Sequence, residues 1–239
     1  MAKAKKVPWV FTTYRHELKF YLNLQEYEVL KGRISAALRL DSYAEERGSY
    51  HIRSLYFDDI HNSAIIDKLS GVMDRKKFRI RTYDFSDETI KLERKVKSGQ
   101  FIRKDSLPLT REEYEAIISG NFGFLADKKE APAMAMYIQM RNQLMRPKTI
   151  VDFTREPFIY PVEDVRVTFD KDLRMGLCGV YGFDIFNRDL LTMPAVTDGL
   201  VIMEIKFNNF LPTIIHKLIQ GPNNARSSIS KYVLCRRYE

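Results

Sequence analysis

The sequence predicts an α+β fold, in which a large and mainly antiparallel sheet or barrel carries helices between groups of strands. Five segments alternate charged and apolar residues, which is the period of a strand with one face against apolar packing. Capped, amphipathic segments separate these strands, and short turns join three of them into a meander. The alternating segments are 15–22, 77–83, 91–97, 165–170 and 201–207.

The first half of the chain is predicted to begin with strands and to end in a helix. Asn23 has the residue type and position of a helix cap, and Thr110 with Glu113 forms a capping-box pattern. The meander has candidate turns at Phe85-Ser86-Asp87 and Ser98-Gly99. The expected elements are a strand over 12–22, a helix over 24–39, a strand over 50–58, a helix over 60–70, strands near 76–85, 89–97 and 100–106, and a helix over 111–119.

The second half is predicted to return to strands before two closing helices. A helix over 132–145 is expected to end before Pro147, because proline cannot continue it. Pro212 fits the first turn of a later helix, and Ser227 fits a cap. The remaining expected elements are strands over 148–155 and 164–170, further candidates near 157–160 and 183–187, a strand over 200–207, and helices over 211–220 and 228–236.

Composition favours one globular domain with an anionic partner. The 239 residues include 45% hydrophobic residues, and we expect a single domain over 1–239 with a flexible tail over 1–11. The formal charge is +8 and the pI is about 9.3, which suits nucleic acid, a membrane surface or a phosphate-rich small molecule. No RNP, KH, zinc-finger or helix-turn-helix pattern occurs, so nucleic acid is not expected.

Cysteine usage and hydropathy predict a cytoplasmic protein. Cys178 and Cys235 are too few for a disulfide framework, and no CxxC pair is present for zinc. No run approaches the ~20 apolar residues of a membrane-spanning helix. Attachment to a membrane through a partner protein stays open as an alternative.

The alternating strands suggest where an anion would bind. A flat sheet with one solvated face explains any single strand, but five such strands beside amphipathic helices favour a closed sheet with its charged face inside. Buried Lys and Arg are costly unless anions or carboxylates balance them, so such a lumen would be a ligand site. Neither GxxxxGK[ST] nor GxGxxG occurs, and phosphate recognition would therefore rely on basic side chains.

Eight motifs in order resemble the VTC domain, the catalytic domain of polyphosphate polymerases in the triphosphate tunnel metalloenzyme superfamily. The resemblance spans about 14–232 and implies an antiparallel β-barrel whose basic tunnel binds triphosphate or polyphosphate with Mn²⁺ or Mg²⁺. Helices would pack outside the barrel. The motifs are RHELKF (15–20), SLYFDD (54–59), KKFRIRTY (76–83), KLERK (91–95), FTREPF (153–158), VRVTFD (165–170), MEIKF (203–207) and SKY (230–232).

The resemblance also implies roles for individual residues. Matching the motifs position by position assigns phosphate clamping and charge stabilisation to three arginines, metal binding to one glutamate, and phosphate binding to a further group. Lys104 is a looser match, because Arg103 is equally available in its hairpin. The implied catalytic residues are Arg79, Arg81 and Arg155; the metal ligand is Glu204; the phosphate-binding residues are Lys19, Lys68, Lys95, Lys104, Lys206, Ser230 and Lys231.

Two positions depart from the family patterns. The hydrolytic branch of the superfamily begins with ExExK, but here Arg15 stands first and only Glu17 remains. This departure favours the polymerase branch over the triphosphatases. Phe153 stands where VTC domains commonly have Tyr, so a hydroxyl contact with phosphate is missing and Arg155 would have to supply the binding.

The resemblance implies a metal-dependent polyphosphate polymerase that transfers the terminal phosphate of ATP to a polyphosphate chain. An inorganic triphosphatase of the same fold and a catalytically silent polyphosphate-binding module remain alternatives. Without the other motifs, Glu204 and Lys206 would be interpreted as a same-face ion pair. Asp58, Asp59 and His61 are better explained as a strand end and helix cap than as a metal cluster, and Asp170 beside Arg166 as a structural ion pair.

Overall fold

Ten strands form one sheet in the computed structural model, which describes residues 15–99, 101–178, 182–221 and 226–237. The predicted tail over 1–11 and the start of the first predicted strand lie outside these residues. The strands are β1 (His16–Leu22), β2 (Arg39–Leu40), β3 (Tyr50–Asp58), β4 (Arg75–Tyr83), β5 (Ser86–Ser98), β6 (Phe101–Leu109), β7 (Arg146–Tyr160), β8 (Val165–Gly176), β9 (Thr192–Pro194) and β10 (Val201–Phe207).

Helices occupy the connections between groups of strands. The predicted Asn23 cap and the predicted Thr110–Glu113 capping box are both confirmed: the Asn23 side chain accepts from the Glu26 amide, and the Thr110 side chain accepts from the Glu113 amide. No helix in the described ranges is long and apolar enough to cross a bilayer. The described α-helices are α1 (Leu24–Ala37), α2 (Ser63–Leu69), α3 (Arg111–Ile118), α4 (Ala131–Asn142), α5 (Thr213–Leu218) and α6 (Lys231–Leu234).

The sheet is antiparallel and curls back toward itself. Its main strand order is β1-β10-β8-β7-β3-β4-β5-β6, with β2 beside β7 and β9 beside β8. The two edge strands meet at an isolated bridge, where Arg15 and Ile102 exchange backbone hydrogen bonds of 3.1 and 3.3 Å. An ion pair between Lys95 on β5 and Glu17 on β1 also crosses the interior at 2.8 Å. The predicted α+β fold with an antiparallel barrel and external helices is therefore confirmed.

Apolar residues cover the outside of the sheet and close part of its inside. One core cluster packs β3 to β6 against α3 and α4, and a second packs β1, β8 and β10 against α1 and α5. A third cluster lies around α6 and includes Phe153 and Tyr232. The outer clusters bury one face of each alternating strand, so the charged residues are left on the face toward the interior.

Several element boundaries differ from those predicted. The candidates over 148–155 and 157–160 are one strand, β7, and the candidate over 183–187 is a sequence of turns whose buried Ile185 packs on the outer core. The β4–β5 turn consists of Asp84 and Phe85, both with positive φ, as a two-residue hairpin turn requires. The sequence predicts this turn around 85–87 instead, because Phe85 is not a residue type that favours positive φ.

The two closing helices are shorter than predicted. Pro212 is the cap of α5 and precedes its first turn, while α6 begins after Ser230. Ser227 instead donates its amide to the Lys19 carbonyl at 2.9 Å and so extends the contact with β1. The prediction missed this segment because a serine before a helix-like stretch resembles a cap whether or not it forms one.

We predict that Leu92→Ala lowers the free energy of unfolding by about 3 kcal/mol, because it leaves a cavity in the core beneath α3 and α4. Leu92 is fully buried on β5. The matched change Val29→Ala, at an exposed position of α1, should cost less than about 0.5 kcal/mol. Urea denaturation measures both, and equal losses would contradict the placement of this core.

Candidate functional site

Charged side chains from seven strands and α6 face one another inside the curled sheet. In the described part of the chain, nine basic residues of this interior network surround four carboxylates. The carboxylates are each held by at least two cations, so the network stays cationic overall. The basic residues are Lys19, Lys77, Arg79, Arg81, Lys95, Lys104, Arg155, Lys206 and Lys231; the carboxylates are Glu17, Glu93, Asp170 and Glu204.

Glu93 organises the arginine pair on β4. Arg79 Nε donates to Glu93 Oε2 at 2.6 Å, and Lys104 Nζ donates to Oε1 at 2.6 Å. Arg81 Nε lies 4.0 Å from Glu93 and donates to Ser54 Oγ at 3.0 Å. Burial raises the pKa of Glu93, but the neighbouring Arg79, Arg81 and Lys104 outweigh it and hold that pKa well below its usual value. The carboxylate is therefore ionised and fixes the direction of the guanidinium groups.

Glu204 and Glu17 form the second acidic centre, between β10 and β1. Glu204 contacts Lys206 Nζ at 2.8 Å and Lys19 Nζ at 3.5 Å. Glu17 is bound by Lys95 and lies 3.7 Å from Lys19. Burial opposes ionisation of Lys19, but Glu17 and Glu204 prevail and raise its pKa, whereas burial dominates at Lys206 and lowers its pKa to about 8. Both glutamates thus face the lumen among lysines.

Asp170 joins the strand arginine to the last helix. Arg155 donates from Nε and Nη2 to the two Asp170 oxygens at 2.6 and 2.8 Å, and Lys231 Nζ reaches Asp170 at 2.5 Å. Phe153 supports this cluster, since its ring centroid lies 5.3 Å from the Arg155 guanidinium carbon and 4.8 Å from Lys231 Nζ. The phenyl ring in place of Tyr therefore acts as an aromatic support for two cations.

One end of the interior opens between β4 and α6. Lys77 Nζ donates to Ser230 Oγ at 3.1 Å and lies 5.0 Å from the centroid of the Tyr232 ring. Lys68, on α2, hydrogen-bonds to Ser228. Lys68 and Ser230 therefore lie at this mouth. Among the other residues implied by the resemblance, the Lys104 side chain is exposed and the rest are buried or half-buried within the network.

Some members of the network were not among the expected site residues. Glu93 shares a strand face with Lys95, Asp170 with Thr168, and Lys77 with Arg79. The alternation of charged and apolar residues could therefore have identified them as members of the charged face. Tyr56 was missed as well; its hydroxyl accepts from Arg79 Nη1 at 2.8 Å, and its ring stacks on Tyr232. A buried tyrosine in a strand motif gives no sequence signal that separates it from core.

Two further interpretations of polar residues can be compared with the structure. Asp58 and Asp59 accept from amides at the start of α2, including Ala64 N at 2.9 Å, which confirms a helix-capping role. Arg166 was expected to pair with Asp170, but this is wrong: Arg166 contacts Asp41 and Tyr50 instead, because Arg155 occupies both Asp170 oxygens.

Arg15 adds no cation to the interior network. Its guanidinium pairs with Asp164, and both side chains are substantially exposed. The strand alternation would place Arg15 on the charged face, but it lies at the start of β1, where that face reaches solvent. The difference from ExExK therefore removes a carboxylate without strengthening the lumen.

The donor set fits a divalent cation that shares its coordination with phosphate. Glu17 and Glu204 supply carboxylate oxygens, which Mg²⁺ and Mn²⁺ prefer. Within the described residues, no group of three His, Cys, Asp or Glu side chains is arranged to hold a metal alone. Mg²⁺ commonly binds through one or two carboxylates and substrate phosphates, so these two glutamates fit that kind of site.

Comparison with known proteins gives a family and a fold. The family model described as VTC domain matches residues 14–238. No curated protein sequence matches the chain at a significant level. Among solved structures, HpAC1 from Hippeastrum, described as an adenylyl cyclase candidate with dominant triphosphatase activity, aligns over 95% of this chain and 96% of its own with 13% identity and a TM-score of 0.55. The shared fold is that of the triphosphate tunnel proteins.

Two further solved structures align over most of the chain with lower scores. The PH1819 protein from Pyrococcus horikoshii OT3 covers 95% of this chain and 100% of its own, with 12% identity and a TM-score of 0.49. An adenylate cyclase candidate from Bacillus halodurans covers 87% and 86%, with 13% identity and a TM-score of 0.47.

We predict that Lys77 makes anion binding depend on pH. Burial, followed by repulsion from Arg75, Lys95, Lys68 and Lys19, lowers the pKa of Lys77 to about 7. A bound polyanion raises that pKa, so the contribution of Lys77 to affinity is largest below about pH 7 and declines as the pH rises, by at most about tenfold per unit.

Metal-free titration calorimetry with inorganic triphosphate from about pH 6 to about pH 9 measures this contribution as the ratio of wild-type to Lys77→Gln affinity. That ratio should fall with rising pH. Lys76→Gln is the matched control, because Lys76 is the preceding residue of β4 and is exposed, whereas Lys77 faces the mouth. A ratio that stays constant across the range would refute the prediction.

Proposed function

This chain belongs to the VTC domain family, and we propose that it is an enzyme that transfers the terminal phosphate of ATP to a polyphosphate chain held inside its curled sheet. The observation that carries the proposal is the interior network, whose nine basic side chains outnumber its four carboxylates in the described residues. A cationic interior of this kind suits an elongated polyanion, which supplies the negative charge that the carboxylates leave unbalanced.

Phosphoryl transfer suits this interior because the reaction mainly needs positioning and charge stabilisation. A terminal phosphate oxygen of the acceptor chain attacks the γ-phosphorus of ATP. The new P–O bond forms as the bond to the β-phosphate oxygen breaks, and that oxygen leaves with the electron pair on ADP. The attacking oxygen is already ionised at neutral pH, so no general base is required.

The residues would divide the work by position. Arg79 and Arg81, directed by Glu93, would clamp the oxygens of the transferred group. Arg155, held by Asp170, would stabilise charge on the same group from the β7 side. The lysines of the network would bind the rest of the triphosphate and the polymer: Lys19, Lys95, Lys104, Lys206 and Lys231, with Lys68 and Ser230 at the mouth.

Glu204 is the residue we propose as ligand for Mn²⁺ or Mg²⁺, with Glu17 beside it. Such an ion would neutralise phosphate charge and shield the carboxylates from the substrate. Glu204 would hold the substrate-bound cation near Lys19 and Lys206. These two lysines already contact the two carboxylate oxygens of Glu204.

Glu17 favours a second candidate function, hydrolysis of inorganic triphosphate. It retains one carboxylate of the two in ExExK and lies in the same acidic centre as Glu204. HpAC1, which shares the fold, has triphosphatase as its dominant activity. In this alternative, water replaces the acceptor chain, and free phosphate forms without polymer.

The product assay separates the candidates. Purified protein with ATP and Mn²⁺ should yield ADP and long polyphosphate, visible on a polyacrylamide gel. Arg79→Gln should lower the rate by about a hundredfold or more, because a preorganised charge-stabilising donor is lost. Arg94→Gln is the matched control: Arg94 is on β5 next to Glu93, and it pairs with Asp105 away from the network.

Absence of both polymer and ADP, under conditions in which an active homologue works, would reject the polymerase. Release of phosphate from triphosphate without polymer would support the hydrolase. Tight polyphosphate binding without turnover of ATP or triphosphate would instead indicate a binding module.

Glu204→Gln should strengthen triphosphate binding in the absence of metal and raise the Mn²⁺ requirement of turnover. Removing one negative charge from the cationic interior should tighten metal-free triphosphate binding by about tenfold. This is the electrostatic free energy that corresponds to a pKa shift of about one unit. The same change should raise the Mn²⁺ concentration needed for half-maximal turnover by about tenfold or more. Calorimetry in chelator and a metal titration of activity measure the two effects. Weaker metal-free binding would contradict this role for Glu204.

A further inference from the structure

The second half of α2 and the loop that follows it expose a concentration of apolar side chains. Ile66, Leu69, Val72 and Met73 are exposed by 52%, 69%, 40% and 65%. Single exposed apolar residues are ordinary, but four within eight positions form a local patch. Residues 69–74 are all exposed, so the patch is the tip of a projecting loop. We call this loop with Ile66 the apolar tip.

Basic side chains surround the apolar tip. Lys68, Arg75, Lys97 and Arg237 line a cleft of about 410 Å³ together with Leu69. None of these four cations forms a salt bridge within 4.0 Å of a described carboxylate. This separates them from the interior network, in which each carboxylate is shared by cations.

The acidic residues of the segment do not cancel this charge. Asp67 acts on Arg75 through space, and Asp74 is exposed at the end of the loop. Burial and the repulsion of Arg75 and Lys97 lower the pKa of Lys68, as expected for a cluster with unbalanced positive charge. The tip is therefore apolar at its centre and cationic around it.

We propose that the apolar tip and its surrounding cations dock on the surface of an anionic lipid bilayer. Leu69, Val72 and Met73 would enter the boundary between headgroups and acyl chains, and Lys68, Arg75, Lys97 and Arg237 would contact headgroup phosphates. A projecting loop suits shallow insertion, whereas a stable protein interface requires a broad complementary face of about 800 Å² on each partner. Charge complementarity thus favours anionic lipid as the occupant.

Docking in this way would turn one mouth of the interior toward the bilayer. The cleft that contains the cations also contains Ser230, which binds Lys77 at that mouth. The docking itself does not rest on the proposed enzymatic function, and vesicle binding without nucleotide or polyphosphate tests it separately.

Cosedimentation of the full chain with vesicles provides the test. Vesicles of phosphatidylglycerol mixed with phosphatidylcholine should bind the protein, and pure phosphatidylcholine vesicles should not. Leu69→Ser with Met73→Ser should weaken binding by about tenfold or more, since two apolar side chains no longer insert. Arg75→Gln with Lys97→Gln should weaken it by about 30-fold, the combined contribution of two cations near an anionic surface.

The matched control is Met134→Ser with Ile138→Ser, an apolar pair exposed on α4. It should bind as the wild type does, and circular dichroism with a thermal melt verifies that every variant is folded. Failure of the wild type to bind the anionic vesicles would overturn the proposal. So would equal loss in the control pair, or wild-type binding by Leu69→Ser with Met73→Ser, which would show that charge alone attracts the protein.

Discussion

Ion pairing inside the curled sheet is the constraint on which the rest of the structure depends. Glu93, Glu204 and Asp170 are almost fully buried, and each would be strongly destabilising without its cations. Strand register determines whether those partners meet, because a slip of one residue would turn charged side chains toward the outer cores. The outer helices, the meeting of the sheet edges and the position of α6 all preserve this alignment.

The same pairing prepares the interior for an anion without filling it. Carboxylates orient Arg79 and Arg155 in advance, so these guanidinium groups need little rearrangement when a ligand arrives. The surplus of cations is held at a cost to stability, as functional sites commonly are. An anion that enters would relieve repulsion among the lysines while leaving the carboxylate-directed arginines in place.

The sequence predicted the sheet and much of the charged interior because alternation and burial obey the same two-residue period. It did not predict that Arg166 would turn to Asp41, since both arginines could reach Asp170 in a strand pattern. It also missed β2 and β9, two- and three-residue strands too short to show a period. Pairings across the interior, such as Glu17 with Lys95, depend on how the sheet curls, which no local pattern records.

The pairing of β1 with β10 has a consequence for how the protein folds. Lys19 on β1 is opposite Glu204 on β10, so two strands from the beginning and the end of the folded region must find each other. Contacts between residues this distant in sequence slow folding, because a long loop must close first. During synthesis, β1 stays without its neighbour until β10 has emerged, and its unpaired edge is then open to other chains.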